Sequence, residues 1–167
     1  MQTDIYKKWL DLTEINHTDI FKAFDNLWER YGNIIHEVGE NTKIFHAGTI
    51  TSYENFEDQP IFGSESEVEA EDYLKFSGSN QRKICTFQTV RACRFAYLGG
   101  SFIENEFADF LWSKGAKGLF ADQLRAISAR EWAANKSIDG WYRDIDRGEL
   151  LVFRPLQTLR LSSVQAV

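Results

Sequence analysis

Two residues in this chain combine a reactive side chain with neighbours that would expose it. His46 falls in the run Ile44-Phe45-His46-Ala47-Gly48-Thr49, where small residues follow the imidazole and let a ligand approach the backbone. Glu149 heads Glu149-Leu150-Leu151-Val152-Phe153, just after Arg147-Gly148, and so places a carboxylate at the mouth of an apolar row. Each has two readings. His46 is either a histidine at a sheet end satisfied by a neighbouring carbonyl or a group that meets a ligand. Glu149 is either a solvated strand start or a poised catalytic acid.

Other constellations carry less. His36-Glu37-Val38-Gly39-Glu40 lacks the second histidine of a metalloprotease helix, and Gly39 would break the face that aims both ligands. With three scattered histidines and no Cys/His cluster, no metal site is expected. Ser64, Ser77 and Ser101 lack the glycine on each side that builds a nucleophile elbow, which argues against a serine hydrolase. No glycine-rich loop leads into Lys and Ser/Thr, so a triphosphate cradle has no support.

The elements that must position His46 and Glu149 are legible from periodicity. Ile20, Phe21, Phe24, Leu27, Trp28 and Tyr31 recur at helical steps and predict a helix over Thr18 to Tyr31, with Thr18 as N-cap and Gly32 beyond its end. A shorter helix carrying Ile5, Trp9 and Leu12 is expected before it, giving an all-helical segment over residues 1–40. Alternation then predicts a strand over Lys43 to Thr49, with Ile44, His46 and Gly48 on one face and Phe45, Ala47 and Thr49 on the other. A short strand at Pro60 to Gly63 leads into a helix over Ser64 to Phe76, which Ser64 would cap and which carries Val68, Ala70, Tyr73 and Leu74. Lys83 to Leu98 reads as one long strand or a hairpin. Helical spacing returns at Phe107, Phe110 and Leu111, and at Leu124, Ile127 and Trp132. Asp139-Gly140 reads as a turn, Glu149 to Phe153 as a strand stopped by Pro155, and Thr158 to Leu161 as a last strand. Strands and helices do not alternate regularly, which excludes a doubly wound sheet and leaves an α+β fold with a mainly antiparallel sheet.

At 167 residues the chain suits one domain that needs no disulfide or metal staple. Cys85 and Cys93 lack paired redox or zinc spacing and read as buried thiols in a reducing compartment. A net charge of −6 argues against a broad phosphate-binding surface, while leaving room for a local basic groove. Most of the five tryptophans should lie in the core. The residues from Met1 to Leu12 mix acids and lysines with apolar positions, and no run reaches the length of a leader or a membrane span. A cytoplasmic location is expected, and a toxin or effector acting in another cell's cytoplasm would look the same.

The order of the two features carries a resemblance. The His46 strand, then Ile61-Phe62-Gly63-Ser64 leading into a helix with Ala70 and Tyr73, then Asp139-Gly140 and Glu149-Leu150-Leu151-Val152-Phe153-Arg154-Pro155, resembles the ADP-ribosyltransferase superfamily of the His-Tyr-Glu type. It covers residues 43–161 as a pattern of elements, with residues 1–40 as a helical segment before it. The resemblance implies a mainly antiparallel split sheet and transfer of ADP-ribose from NAD, as substrate, to a macromolecular acceptor with release of nicotinamide. A protein acceptor is favoured and a nucleic acid is left open. His46 would then bond the ribose and the nicotinamide amide, the backbone at Ala47 and Gly48 would hold that amide, and Glu149 would hold the ribose 2′-hydroxyl. Phe62, Ser64, Tyr73 and Tyr53 would complete the NAD pocket. The sequence departs from the family in two places: Ala47 stands where a glycine is usual, and Ile61 and Phe62 occupy the second strand, where a tyrosine is expected. A non-catalytic module that keeps the fold and occupies a partner's surface is the competing reading.

Overall fold

The computed structural model describes residues 17–30, 34–48, 60–76, 83–97, 109–115, 128–144 and 148–167. Their elements run α1 (His17–Arg30), β1 (Ile35–Val38), β2 (Lys43–Ala47), β3 (Ile61–Ser64), α2 (Glu67–Phe76), β4 (Lys83–Thr89) and β5 (Cys93–Tyr97). Helical residues 109–113 (α3) and 128–135 (α4) follow. The chain closes with β6 (Gly140–Asp144), β7 (Glu149–Val152), α5 (Pro155–Thr158) and β8 (Leu159–Ala166). The eight strands form one sheet in the order β1-β5-β6-β7-β3-β2-β4-β8, antiparallel at each pairing except β5 with β6. The fold is therefore α+β.

One connection shows that this sheet cannot be flat. β4 and β5 lie five places apart in the order, yet only Val90, Arg91 and Ala92 join them. Strands spaced ~4.8 Å apart would put them roughly 24 Å from each other in a plane, whereas four backbone steps reach at most roughly 14 Å. The sheet must curl until its two halves face one another. The apolar residues agree: Val38, Ile44, Ile61, Phe87, Phe95, Leu150, Val152 and Leu159, drawn from seven of the eight strands, form one buried cluster. Thr89 pins the halves together at this connection. Its buried hydroxyl donates to the Gly39 carbonyl at 2.6 Å and accepts the Thr42 N–H at 2.9 Å, while its carbonyl accepts the Asn41 N–H at 2.8 Å.

The outer faces are covered by helices. Ile20, Phe24 and Leu27, the buried stripe of α1, pack with Leu111, Trp132, Trp141 and Phe153 against the β5-β6-β7 half. Phe24 stacks on Trp132 at 5.5 Å, and Asp25 accepts the indole N–H of Trp132 at 3.0 Å. On the other half, Ala70 and Leu74 of α2 pack over Ile84, Phe45 and Ala47. Among the described residues no helix is long and apolar enough to cross a membrane.

Several expectations need correction. The N-terminal segment is not all helical, because β1 falls within it and pairs with β5 over Ile35 to Val38. Thr18 lies inside α1 and does not cap it. Ser64 belongs to β3, and the hydroxyl nearest the start of α2 is that of Ser66, which accepts the Glu69 N–H at 3.4 Å. Lys83 to Leu98 is neither one strand nor a hairpin, since β4 and β5 enter opposite halves of the sheet. Periodicity records faces and not partners, so a strand that crosses between layers reads like one that continues. Asp139-Gly140 is no turn either: Gly140 opens β6, and a Cβ there would stand 1.9 Å from the Leu151 carbonyl oxygen. Glycine marks a close approach of β7 at this point. Trp132 and Trp141 are buried as expected, but Trp112 is 57% exposed. Trp9, Tyr31, Gly32, Phe107, Leu124 and Ile127 lie outside the described residues.

Cys85 and Cys93 are free and buried, as expected. Burial pushes both thiols up, Cys93 to about 11, with the charge of Asp139 adding to the effect there. Neither is a nucleophile at neutral pH.

The contact at Gly140 yields a test. Gly140→Ala forces backbone apart and should destabilise the fold by about 3 kcal/mol or more, read as a lowered urea midpoint. A variant as stable as the wild type would contradict the close β6–β7 approach.

Candidate active site

His46 is placed by β2 and Glu149 by β7, and the intervening β3 brings them together. β3 pairs with β7 so that Ser64 stands opposite Glu149 and Phe62 opposite Leu151. Cross-strand partners in an antiparallel pair share a sheet face, as do alternate residues along one strand. Phe62, Ser64 and Glu149 therefore occupy the outer face, while Ile61, Leu150 and Val152 turn into the core.

The β2 side is governed by a break in the sheet. Gly48 N–H donates to the Lys83 carbonyl at 3.1 Å and Thr89 N–H to the Thr42 carbonyl at 3.0 Å. Bonded and non-bonded pairs alternate along an antiparallel ladder, so even-numbered residues of β2 bond to β4, and Phe45 and Ala47 turn their amides toward β3. Phe45 meets Ser64 there, the one β2–β3 pairing among the described residues. Two residues on, Ala47 comes level with Phe62, whose carbonyl instead accepts a hydrogen bond from His46 Nδ1. The backbone N–H and C=O of Ala47 thus point into the gap between the strands.

That bond fixes the chemistry of His46. A carbonyl only accepts, so Nδ1 carries the hydrogen, and a neutral ring presents a lone pair at Nε2. Burial lowers the pKa of His46, outweighing the carbonyl bond that would raise it. The ring is neutral near pH 7 and offers an acceptor. Gly48 makes room for it, because a Cβ there would lie 2.6 Å from Nε2.

The resulting cleft has a volume of about 360 Å³ and runs between α2, β3, the end of β2 and the head of β7. It is lined by His46, Ala47, Phe62, Ser64, Tyr73 and Glu149, six of the eight residues expected from sequence, together with Phe45, Gly63, Glu69, Ala70 and Asp72. Phe62 and Tyr73 present rings that are 44% and 63% exposed. Gly48 shapes the site from behind the imidazole, and Tyr53 lies outside the described residues. Ser64 is buried, and its Oγ accepts the Ser66 N–H at 3.0 Å, holding the bend between β3 and α2.

Sequence reasoning missed Glu69 and Asp72. Both sit on α2 at the spacing that turns helix residues toward one side, and only the packing of Ala70 and Leu74 on the sheet reveals which side faces the cleft. With Glu149 they give three carboxylates and no Lys or Arg among the described lining residues. Such a cleft favours a cation or a centre that becomes positive.

Next to it, His36 of β1 stacks on Tyr142 at 4.4 Å and pairs with Glu65 at 2.6 Å. The histidine of the metalloprotease-like run therefore ties the first strand to the segment after β3. Among the described residues no group of three His, Cys, Asp or Glu is placed to hold a metal ion.

Comparison of the sequence with protein-family models gives no match, and comparison with curated proteins gives none. Among solved structures, a chain of the M. tuberculosis MbcT-MbcA toxin-antitoxin complex aligns with 84% of this chain and 91% of its own length, at a TM-score of 0.43 and 12% identity.

The depressed pKa of His46 has a definite sign in stability. Above its ordinary value near ~6.5 the ring is neutral in both folded and unfolded chains; below it, the unfolded chain takes up the proton first. Stability is therefore complete above about pH 6.5 and is lost as pH falls through the folded value. Urea titrations at about pH 7.5 and 5.5 should show a larger acid-side loss for the wild type than for His46→Gln. Equal losses would contradict a desolvated imidazole, and nitrogen NMR should find the hydrogen on Nδ1.

Proposed function

We propose that this protein is an NAD-dependent ADP-ribosyltransferase that moves ADP-ribose to a macromolecular acceptor. The observation that carries the reading is that His46 and Glu149, far apart in sequence, line one cleft with two exposed aromatic rings. The residues suit the nicotinamide riboside end of NAD. The nicotinamide ring stacks against Phe62 or Tyr73, which need supply only a ring face. Its carboxamide has both a donor and an acceptor, matching the N–H and C=O that Ala47 turns into the sheet gap. Because those are backbone groups, alanine in place of the usual glycine leaves them in position. Nε2 of His46 accepts a hydrogen bond from a ribose hydroxyl.

The reaction breaks the bond between C1′ of the ribose and the pyridinium nitrogen. The electron pair leaves with nicotinamide, which becomes neutral, and positive charge spreads over C1′ and the ring oxygen. The carboxylate of Glu149 stabilises that charge as it develops, and Glu69 adds a field of the same sign, while Asp72 is paired with Lys75 at 2.6 Å. An acceptor nucleophile then forms the new bond at C1′ and gives up its proton to Glu149. A protein acceptor fits best, since the acidic lining would repel a polyanion at the reacting centre.

Incubation with NAD labelled in the adenylate, together with a cell lysate, tests this reading. The wild type should release nicotinamide and transfer label, and Glu149→Ala should retain the fold while lowering release roughly 10²- to 10³-fold. A folded wild type that releases no nicotinamide and labels nothing would sink the proposal.

A further inference from the structure

A second cleft of about 470 Å³ opens beyond the tail of β7, where Phe153 leads into α5. The four residue steps from Glu149 to Phe153 separate it from the first cleft by roughly 13 Å along the strand. Its charge is the reverse. Among the described lining residues, Arg91, Arg94, Arg130 and Arg154 contribute four guanidiniums against one carboxylate, Asp139, a formal excess of three positive charges in a chain of net charge −6.

The acid among these described residues is already engaged. Asp139 takes a two-point bond from the Arg91 guanidinium, at 2.6 and 3.1 Å, and a third from the Arg94 backbone N–H at 2.9 Å. It serves as a bracket that orients Arg91 and fixes the start of β5 against the start of β6. The arginines come from separate elements: the β4–β5 connection, β5, α4 and the residue before α5. They converge only through the fold. The floor is apolar, with Ile138 and Phe153 both buried. A concave cleft whose lining combines buried apolar side chains with guanidiniums suits a compact anion better than an extended polyanion.

We propose that this cleft binds a phosphate-bearing ligand of nucleotide size. Guanidinium forks bond phosphate oxygens in pairs, and a volume of this order holds a mononucleotide. The site does not depend on the reading of the first cleft, and each can fail without the other.

Calorimetry on the full chain tests it, with inorganic pyrophosphate and ADP as probes. Both should bind at micromolar to low millimolar concentration. ADP tighter than pyrophosphate would show that the apolar floor also takes a nucleoside, and equal affinities would show a site that reads phosphate alone; either supports the proposal. Arg94→Ala with Arg154→Ala should weaken both probes at least tenfold while leaving the ligand-free melting temperature close to that of the wild type. Arg154→Lys, which keeps the charge and loses the fork, should fall between. Glu149→Ala should leave the affinity unchanged. No binding at millimolar probe, binding insensitive to the arginine changes, or binding lost in Glu149→Ala would each overturn it.

Discussion

The structure depends on the shortness of the connection between β4 and β5. Five strands' width cannot be crossed by three residues, so the sheet folds over, and the apolar faces of its two halves become one core. Thr89 then satisfies the polar groups trapped where the halves meet, at a hydroxyl with no exposed surface. Replacing that side chain with an apolar one of equal size would leave the Thr42 amide to find another partner, while the Gly39 carbonyl would keep only the Thr42 hydroxyl. The fold-over leaves two outer faces, which α1 and α4 cover on one side and α2 on the other.

The first cleft is a by-product of that arrangement. α2 covers β2 and β4, the other helices cover β5, β6 and β7, and the outer face of β3 with the head of β7 lies between these covers. Charge is sorted in the same way. Acidic side chains of α2 border this gap, while arginines collect where β7 hands the chain to α5. An electrostatic difference between the two ends of a single four-residue strand is large compared with anything the net charge suggests.

Residues with a strong period were legible in the sequence, and so were β2, β3, α2 and β7, because alternation and helical spacing report burial directly. His46 and Glu149 stood out because each breaks an apolar pattern. What could not be read was partnership. β1 is four residues with two polar side chains, His36 and Glu37, in the middle, too short to show alternation, and its sequence reads as part of a helical segment. Gly140 looked like a turn residue because glycine serves turns and close contacts equally well. Glu69 and Asp72 are ordinary helix acids until the sheet beneath them decides their direction, and the arginines of the second cleft lie on four separate elements.

The bond from His46 to Phe62 makes the imidazole a wedge. The carbonyl it engages is the one that would otherwise continue the ladder between β2 and β3, so imidazole and ladder meet at the same acceptor. An open sheet seam normally tends to zip, since each added bridge satisfies two groups at once. Here the ring stands at the point where the next bridge would form. The end of the β2–β3 ladder and the wall of the cleft are therefore one structural feature.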